Sequence, residues 1–137
     1  MKKSLPIFIA VILLAFTSCR ITKTLTMINA KSVIHYEDAD FYQGKADAIS
    51  FLILDDSQKE KAVQIWKAEK QGLNKIDASK NSEIAPIIYK SENDFRAILT
   101  AEQLKAYKGK LREAISPNSP YFLNDRQLEE LKRIYDL

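Results

Sequence analysis

Leu99-Thr100-Ala101-Glu102-Gln103 recurs in form at Leu54-Asp55-Asp56-Ser57-Gln58 and at Leu123-Asn124-Asp125-Arg126-Gln127, and these three pentapeptides decide the fold. Each reads Leu, a small polar residue, two polar or small residues, then Gln. Asp55, Thr100 and Asn124 carry side-chain oxygens that can accept from the orphan N–H groups of a first helical turn. Gln58, Gln103 and Gln127 then stand three residues on, where a side chain can return a bond to the cap's own N–H and complete a capping box. Leu54, Leu99 and Leu123, one residue before each cap, can staple the entering chain to the helix. Asp56, Glu102 and Asp125 suit the positive end of a helix dipole. Three helix starts in a chain of 137 residues with three Gly and four Pro predict an all-α protein.

The stretches after each motif keep helical spacing. Ala62, Ile65, Trp66, Leu73 and Ile76 form one stripe, Leu104, Tyr107 and Leu111 a second, and Leu128, Leu131 and Tyr135 a third. Upstream, Phe41, Tyr42, Ile49, Phe51 and Leu52 predict a helix from about Glu37. Ile88, Phe95, Ile98 and Leu99 predict another, with Pro86 as its first residue. Ser116-Pro117-Asn118-Ser119-Pro120 reads as a loop. Gly72 admits two readings: a cap ending the helix begun at Asp56, or an interior position of a longer helix through Ile76. Gly109 reads as a close-packing point. The expected architecture is a small bundle or bent hairpin of about four to five amphipathic helices, with 37–137 as a single helical domain.

The beginning of the chain carries a different message. Lys2 and Lys3 precede an apolar run over Ile7–Phe16, and Thr17-Ser18 puts small residues before Cys19, the single cysteine. This is the plan of a secretory signal, too short for a comfortable membrane span. Residues 1–18 are therefore expected to be removed. Residues 19–36 would follow as an anchor and tether, or as a first helix. Cleavage takes two of the 21 basic residues against 18 acidic ones, so the mature net charge falls to +1. Nothing in that balance argues for nucleic acid.

Two family resemblances follow from these residues. Phe16-Thr17-Ser18-Cys19 resembles the lipobox of bacterial lipoproteins, which implies cleavage before Cys19, lipidation of its thiol and a place in the cell envelope of a bacterium, on the periplasmic side. Ile98–Gln103, with Tyr107 following, resembles the Leu-Thr-x-x-Gln signature of the Spy/CpxP family of periplasmic helical proteins. Lys45–Gln58 looks like the family's other copy, with Asp55 in place of Thr. The likeness covers about residues 40–115. It implies a bent all-α architecture, open to homodimerisation, and an ATP-independent chaperone or stress-response activity without cofactors. Lipidation departs from the soluble members of that family, and the metal-binding members' His or Cys clusters are missing.

Catalytic chemistry finds little footing. His35 stands alone with no second His or thiol, which makes a poor zinc site. Gly44, Gly72 and Gly109 are isolated, so no glycine-rich loop can cradle a phosphate. The expectation is a non-enzyme with no cofactor and no bound metal. Lys59, Lys67, Lys70 and Trp66 offer a basic, partly apolar surface on the helix after Asp55 for unfolded or envelope polypeptides. Solvated charges and a core tryptophan are the plainer reading of the same residues. A structural or regulatory lipoprotein that recognises one envelope partner is the alternative function.

Overall fold

The computed structural model describes residues 26–113 and 120–137. Cys19 and the whole leader therefore lie outside the described residues, as does most of the Ser116–Pro120 loop. All regular structure among the described residues is helical. Helix α1 covers 26–34, followed by α2 (Asp38–Ala48), α3 (Asp56–Leu73), α4 (Asn81–Ala97), α5 (Ala101–Glu113) and α6 (Asp125–Tyr135). The all-α expectation holds, with six helices among the described residues, one above the upper end of the expected four to five. Of the two readings of residues 19–36, the first helix is the one seen over 26–34: α1 buries Met27, Ala30 and Ile34 in the core. The packed unit thus reaches back at least to residue 26, and a wholly extended tether over 20–36 is ruled out.

Helix α4 is central, packing against α3 on one side and α6 on the other, while α2 packs on α3. Two apolar clusters result. One joins α1, the end of α3, the start of α4 and α6 through Met27, Leu73, Ile84, Ile88, Leu128 and Leu131. The other joins α2, the start of α3, the end of α4 and α5 through Phe41, Ala62, Trp66, Phe95 and Tyr107, with Phe122 added from the segment before α6. Phe95 is the hub of the aromatic part, with centroids 5.3 Å from Phe122, 5.4 Å from Tyr107 and 6.0 Å from Trp66. Offset and edge-on pairs at these separations add stabilisation beyond the buried area.

Several boundaries differ from expectation for local reasons. Helix α2 stops at Ala48, before Ile49, Phe51 and Leu52, and the chain turns through hydrogen bonds from Ile49, Ser50 and Leu52 N–H groups. Helix α3 ends at Leu73 with Asn74 as its C-cap, so Gly72 is neither a cap nor the middle of a helix running to Ile76. Ile76 packs on the core from the following turn. In that turn Asp77 accepts the Ser79 N–H, and its own N–H donates to Glu83. Helix α4 begins at Asn81, so Pro86 is its sixth residue rather than its first. The missing N–H there leaves the Ser82 carbonyl without its rung of the helical ladder.

The glycine that does pack closely is Gly44, not Gly109. A Cβ on Gly44 would overlap the Tyr121 phenol ring, whereas one on Gly109 would meet nothing within 4 Å.

Candidate polypeptide-binding surface

All three pentapeptides form reciprocal capping pairs. Gln58 N–H donates to Asp55 Oδ1 at 2.7 Å, and Asp55 N–H donates back to Gln58 Oε1 at 3.0 Å. The Thr100–Gln103 pair closes at 3.2 and 2.9 Å, and the Asn124–Gln127 pair at 2.9 Å in both directions. Leu54 and Leu123 are buried beside their caps, and Leu99 is half-buried.

Two of the motifs also grip each other. Gln58 Nε2 donates to Gln103 Oε1 at 2.7 Å, and Gln103 Nε2 donates to Gln58 Oε1 at 3.1 Å. Each amide reaches further, onto the carbonyl just before the opposite motif: Gln58 to Ile98 at 2.8 Å and Gln103 to Ile53 at 2.7 Å. The result is a two-fold-like clasp in which each Gln uses both amide protons and both acceptor sites of its oxygen. It fastens the α2–α3 connection to the α4–α5 connection. Gln127 makes a separate cross-link, donating to Thr26 Oγ1 at 3.2 Å and so tying α6 to α1.

A buried ionic layer lies between the two apolar clusters. Lys45 Nζ pairs with Glu69 at 2.7 Å and donates to the Tyr121 carbonyl at 2.7 Å, over the Phe122 ring. Ser91 Oγ donates to Glu69 at 2.5 Å. Glu92 accepts from Tyr107 O–H at 2.8 Å, Arg96 Nε at 2.8 Å and Leu123 N–H at 3.1 Å. Arg96 continues to the Leu123 carbonyl at 2.8 Å and to the Asp125 carboxylate. Taking such charges out of water is costly, and extra hydrogen bonds are what offset it.

Burial lifts the Glu92 carboxyl above its ordinary range against the pull of those three donors, and burial beside Glu92 lifts the Tyr107 phenol well up. The hydrogen bond from Arg96 holds Asp125 below its ordinary range. Lys45, Glu69, Ser91 and Glu92 also border a small cavity of about 20 Å³, room for one water.

The surface expected on α3 does not exist as such. Lys59 and Lys67 are exposed, but Lys70 is 2% exposed and Trp66 4%. Lys70 Nζ donates to the Ile34 carbonyl at 2.5 Å and stands over the Phe41 ring, so it caps the end of α1 rather than facing solvent. Trp66 belongs to the aromatic core, and its indole N–H has no acceptor among the described residues. Trp66 and Lys70 lie one turn apart and fall on the inward stripe with Ala62 and Leu73.

What the surface offers instead is the α2–α3 connection. Ile53 is 91% exposed and Phe51 40%, immediately before the buried Leu54. Beside them Ile49, Leu52, Val63 and an edge of Trp66 line a shallow groove of about 260 Å³, with Lys59 at its rim. The Ile53 side chain stands in water while its carbonyl is held by the clasp. His35 is exposed, and among the described residues no three His, Cys, Asp or Glu side chains are grouped to hold a metal. No helix among the described residues is long and apolar enough to cross a membrane.

Compared with known proteins, the chain matches no family model, no curated protein and no solved structure. The fold and surface therefore speak for themselves.

Proposed function

We propose that this chain is a lipid-anchored helical protein of the bacterial envelope, held through Cys19, that binds apolar segments of unfolded polypeptides without ATP, cofactor or catalysis. The reading keeps the Spy/CpxP likeness of residues 98–103 and 45–58 as its family expectation. The single observation that carries it is Ile53, almost wholly solvated at a position whose backbone the clasp fixes. An unburied Ile forgoes about 1.5–3 kcal/mol of transfer free energy that another apolar surface can supply. Phe51 and the groove beside Trp66 extend the apolar area available to such a segment.

Light scattering tests the proposal. The chain from residue 19, carrying Cys19→Ser for solubility, should slow aggregation of several unrelated denatured proteins without ATP. Ile53→Asp with Phe51→Ser should lose that effect while keeping the helical circular-dichroism signal. No suppression by the parent at several-fold molar excess would overturn the reading. A rigidly held knob also favours the alternative, one defined envelope partner of complementary shape. Capture of a single stoichiometric partner that needs Ile53, with no effect on unrelated denatured proteins, would decide for it.

A further inference from the structure

A second surface carries an inference independent of the client reading. Helices α5 and α6 bound a groove of about 890 Å³ with Ala101, Leu104 and Leu111 on its floor. Its rim holds Arg96, Lys105, Lys108 and Arg126 against the single carboxylate of Asp125. Asp125 already sits between two of the cations, contacting Arg96 and standing 3.6 Å from Lys108 Nζ. A carboxylate is thus accommodated there; Arg96 is also paired with Glu92, so two positive charges, those of Lys105 and Arg126, remain in excess. Lys105 and Arg126 are exposed and make no ion pair among the described residues. The groove is also roomy beside Gly109, where a Cβ would meet nothing within 4 Å.

Elsewhere the chain presents the complementary surface. Glu37, Asp38 and Asp40 are exposed at the start of α2, none with an ion-pair partner among the described residues. Tyr36, 46% exposed, adjoins them. Three unpaired acids beside an exposed aromatic complement the two unpaired cations Lys105 and Arg126 beside an apolar floor. No described ion pair joins the two surfaces within one chain. A flat bilayer surface would leave the concave floor unfilled, whereas a projecting helix end can enter it.

We propose that the Tyr36–Asp40 ridge of one copy docks in the α5–α6 groove of another, so that this chain associates with itself. Tyr36 enters the groove beside Gly109, and Glu37, Asp38 and Asp40 meet Lys105, Lys108 and Arg126. Rim charges of this kind set orientation and encounter rate and are screened by salt. Each exposed pair contributes little alone. Confinement of anchored copies to one membrane raises their effective concentration and lets weak contacts count.

Sedimentation velocity across a concentration series tests this on the chain from residue 19 carrying Cys19→Ser, which keeps every described residue. The parent should associate reversibly, and less so as salt is raised. Lys105→Glu with Arg126→Glu should weaken association at least about tenfold, and so should Glu37→Lys with Asp38→Lys and Asp40→Lys. Each reversed protein repels its own kind, but an equimolar mixture restores both attractive contacts and should recover association. Neutral Gln replacements at 105 and 126 serve if a reversed protein fails to fold, with a smaller loss in the same direction.

A parent that stays monomeric to millimolar concentration overturns the proposal. So does association indifferent to these changes, or a mixture that does not recover. Tight groove-dependent binding of an acidic peptide or of anionic vesicles by a monomeric parent assigns the groove to that occupant instead.

Discussion

Removing the glutamine clasp one side at a time, and then entirely, probes the feature that joins the two helix hairpins. The Gln58 side chain takes part in four hydrogen bonds: to the Asp55 N–H, the Ile98 carbonyl and, twice, the Gln103 amide. Gln103 matches it through the Thr100 N–H, the Ile53 carbonyl and the same two shared bonds. Each net bond contributes about 0.5–1.5 kcal/mol. At the lower half of that range, Gln58→Ala and Gln103→Ala should each cost about 2–4 kcal/mol.

The double variant loses six bonds rather than eight, because two are shared. Its cost should fall short of the sum of the singles by about 1–2 kcal/mol. Urea unfolding followed by circular dichroism measures all four corners of the cycle. The expected Tm losses are about 3–6 °C per kcal/mol for a domain of this size. Costs that add within about 0.5 kcal/mol would refute the clasp, since uncoupled side chains behave that way. Costs near zero would refute the capping boxes as well.

Four further outcomes follow from the same geometry. Gly44→Ala should destabilise by about 1–3 kcal/mol because its Cβ meets the Tyr121 ring, while Gly109→Ala should stabilise by up to about 1 kcal/mol; thermal melts of the pair read both signs. Glu92→Gln should cost about 1–3 kcal/mol, because an amide NH2 replaces one of the two oxygens that accept from Arg96, Tyr107 and Leu123, as urea unfolding at neutral pH would report. Because the folded-state pKa of Glu92 lies above its unfolded value, its ionisation draws stability down as pH rises from the unfolded pKa through the folded one. Glu92→Gln should remove that fall, leaving the opposite trend from Asp125, whose lowered pKa adds stability that is lost on acidification; Tm against pH separates them. Cys19→Ser in the full chain should abolish membrane fractionation and leave the helical signal unchanged, and persistence in the membrane fraction would contradict lipidation.

Helix starts were legible from residues 54–58, 99–103 and 123–127 because capping is local: a cap and its glutamine meet within one turn whatever surrounds them. Helix ends were harder. Ile49 and Ile76 continue an apolar rhythm yet lie outside helices, because a core can take an apolar side chain from a turn as readily as from a helix. Pro86 was placed at the wrong position because its cost in a helix interior is only a few kcal/mol, which the burial of Ile84, Ala85 and Ile88 around it outweighs.

Lys70 misled for a more general reason, since a lysine is usually solvated. Its spacing nonetheless carried the signal. Trp66, Glu69, Lys70 and Leu73 fall on one stripe, as do Ile88, Ser91, Glu92 and Phe95 and, in α2, Phe41 and Lys45. Charges at apolar positions of three neighbouring helices mark a buried ionic layer. Which charge meets which could not be told without the packing of α2, α3 and α4.

The clasp also bears on why Ile53 merits a functional reading while Ile98 does not. The two residues are equivalent within it, each giving its carbonyl to the opposite glutamine. Their side chains meet different fates: Ile98 packs half-buried against the aromatic cluster, and Ile53 stands in water. Capping and cross-bonding therefore do not require an exposed isoleucine, because the backbone alone makes the contact and any residue could supply it. Fold stability is equally served by a polar side chain at 53, which would carry no penalty for solubility. On the function proposed above, what an apolar group there adds is a contact for a bound polypeptide, presented at a point that Gln103 keeps from wandering. A fixed knob loses little conformational entropy when it is covered, and that saving favours binding over a loop of the same composition left free.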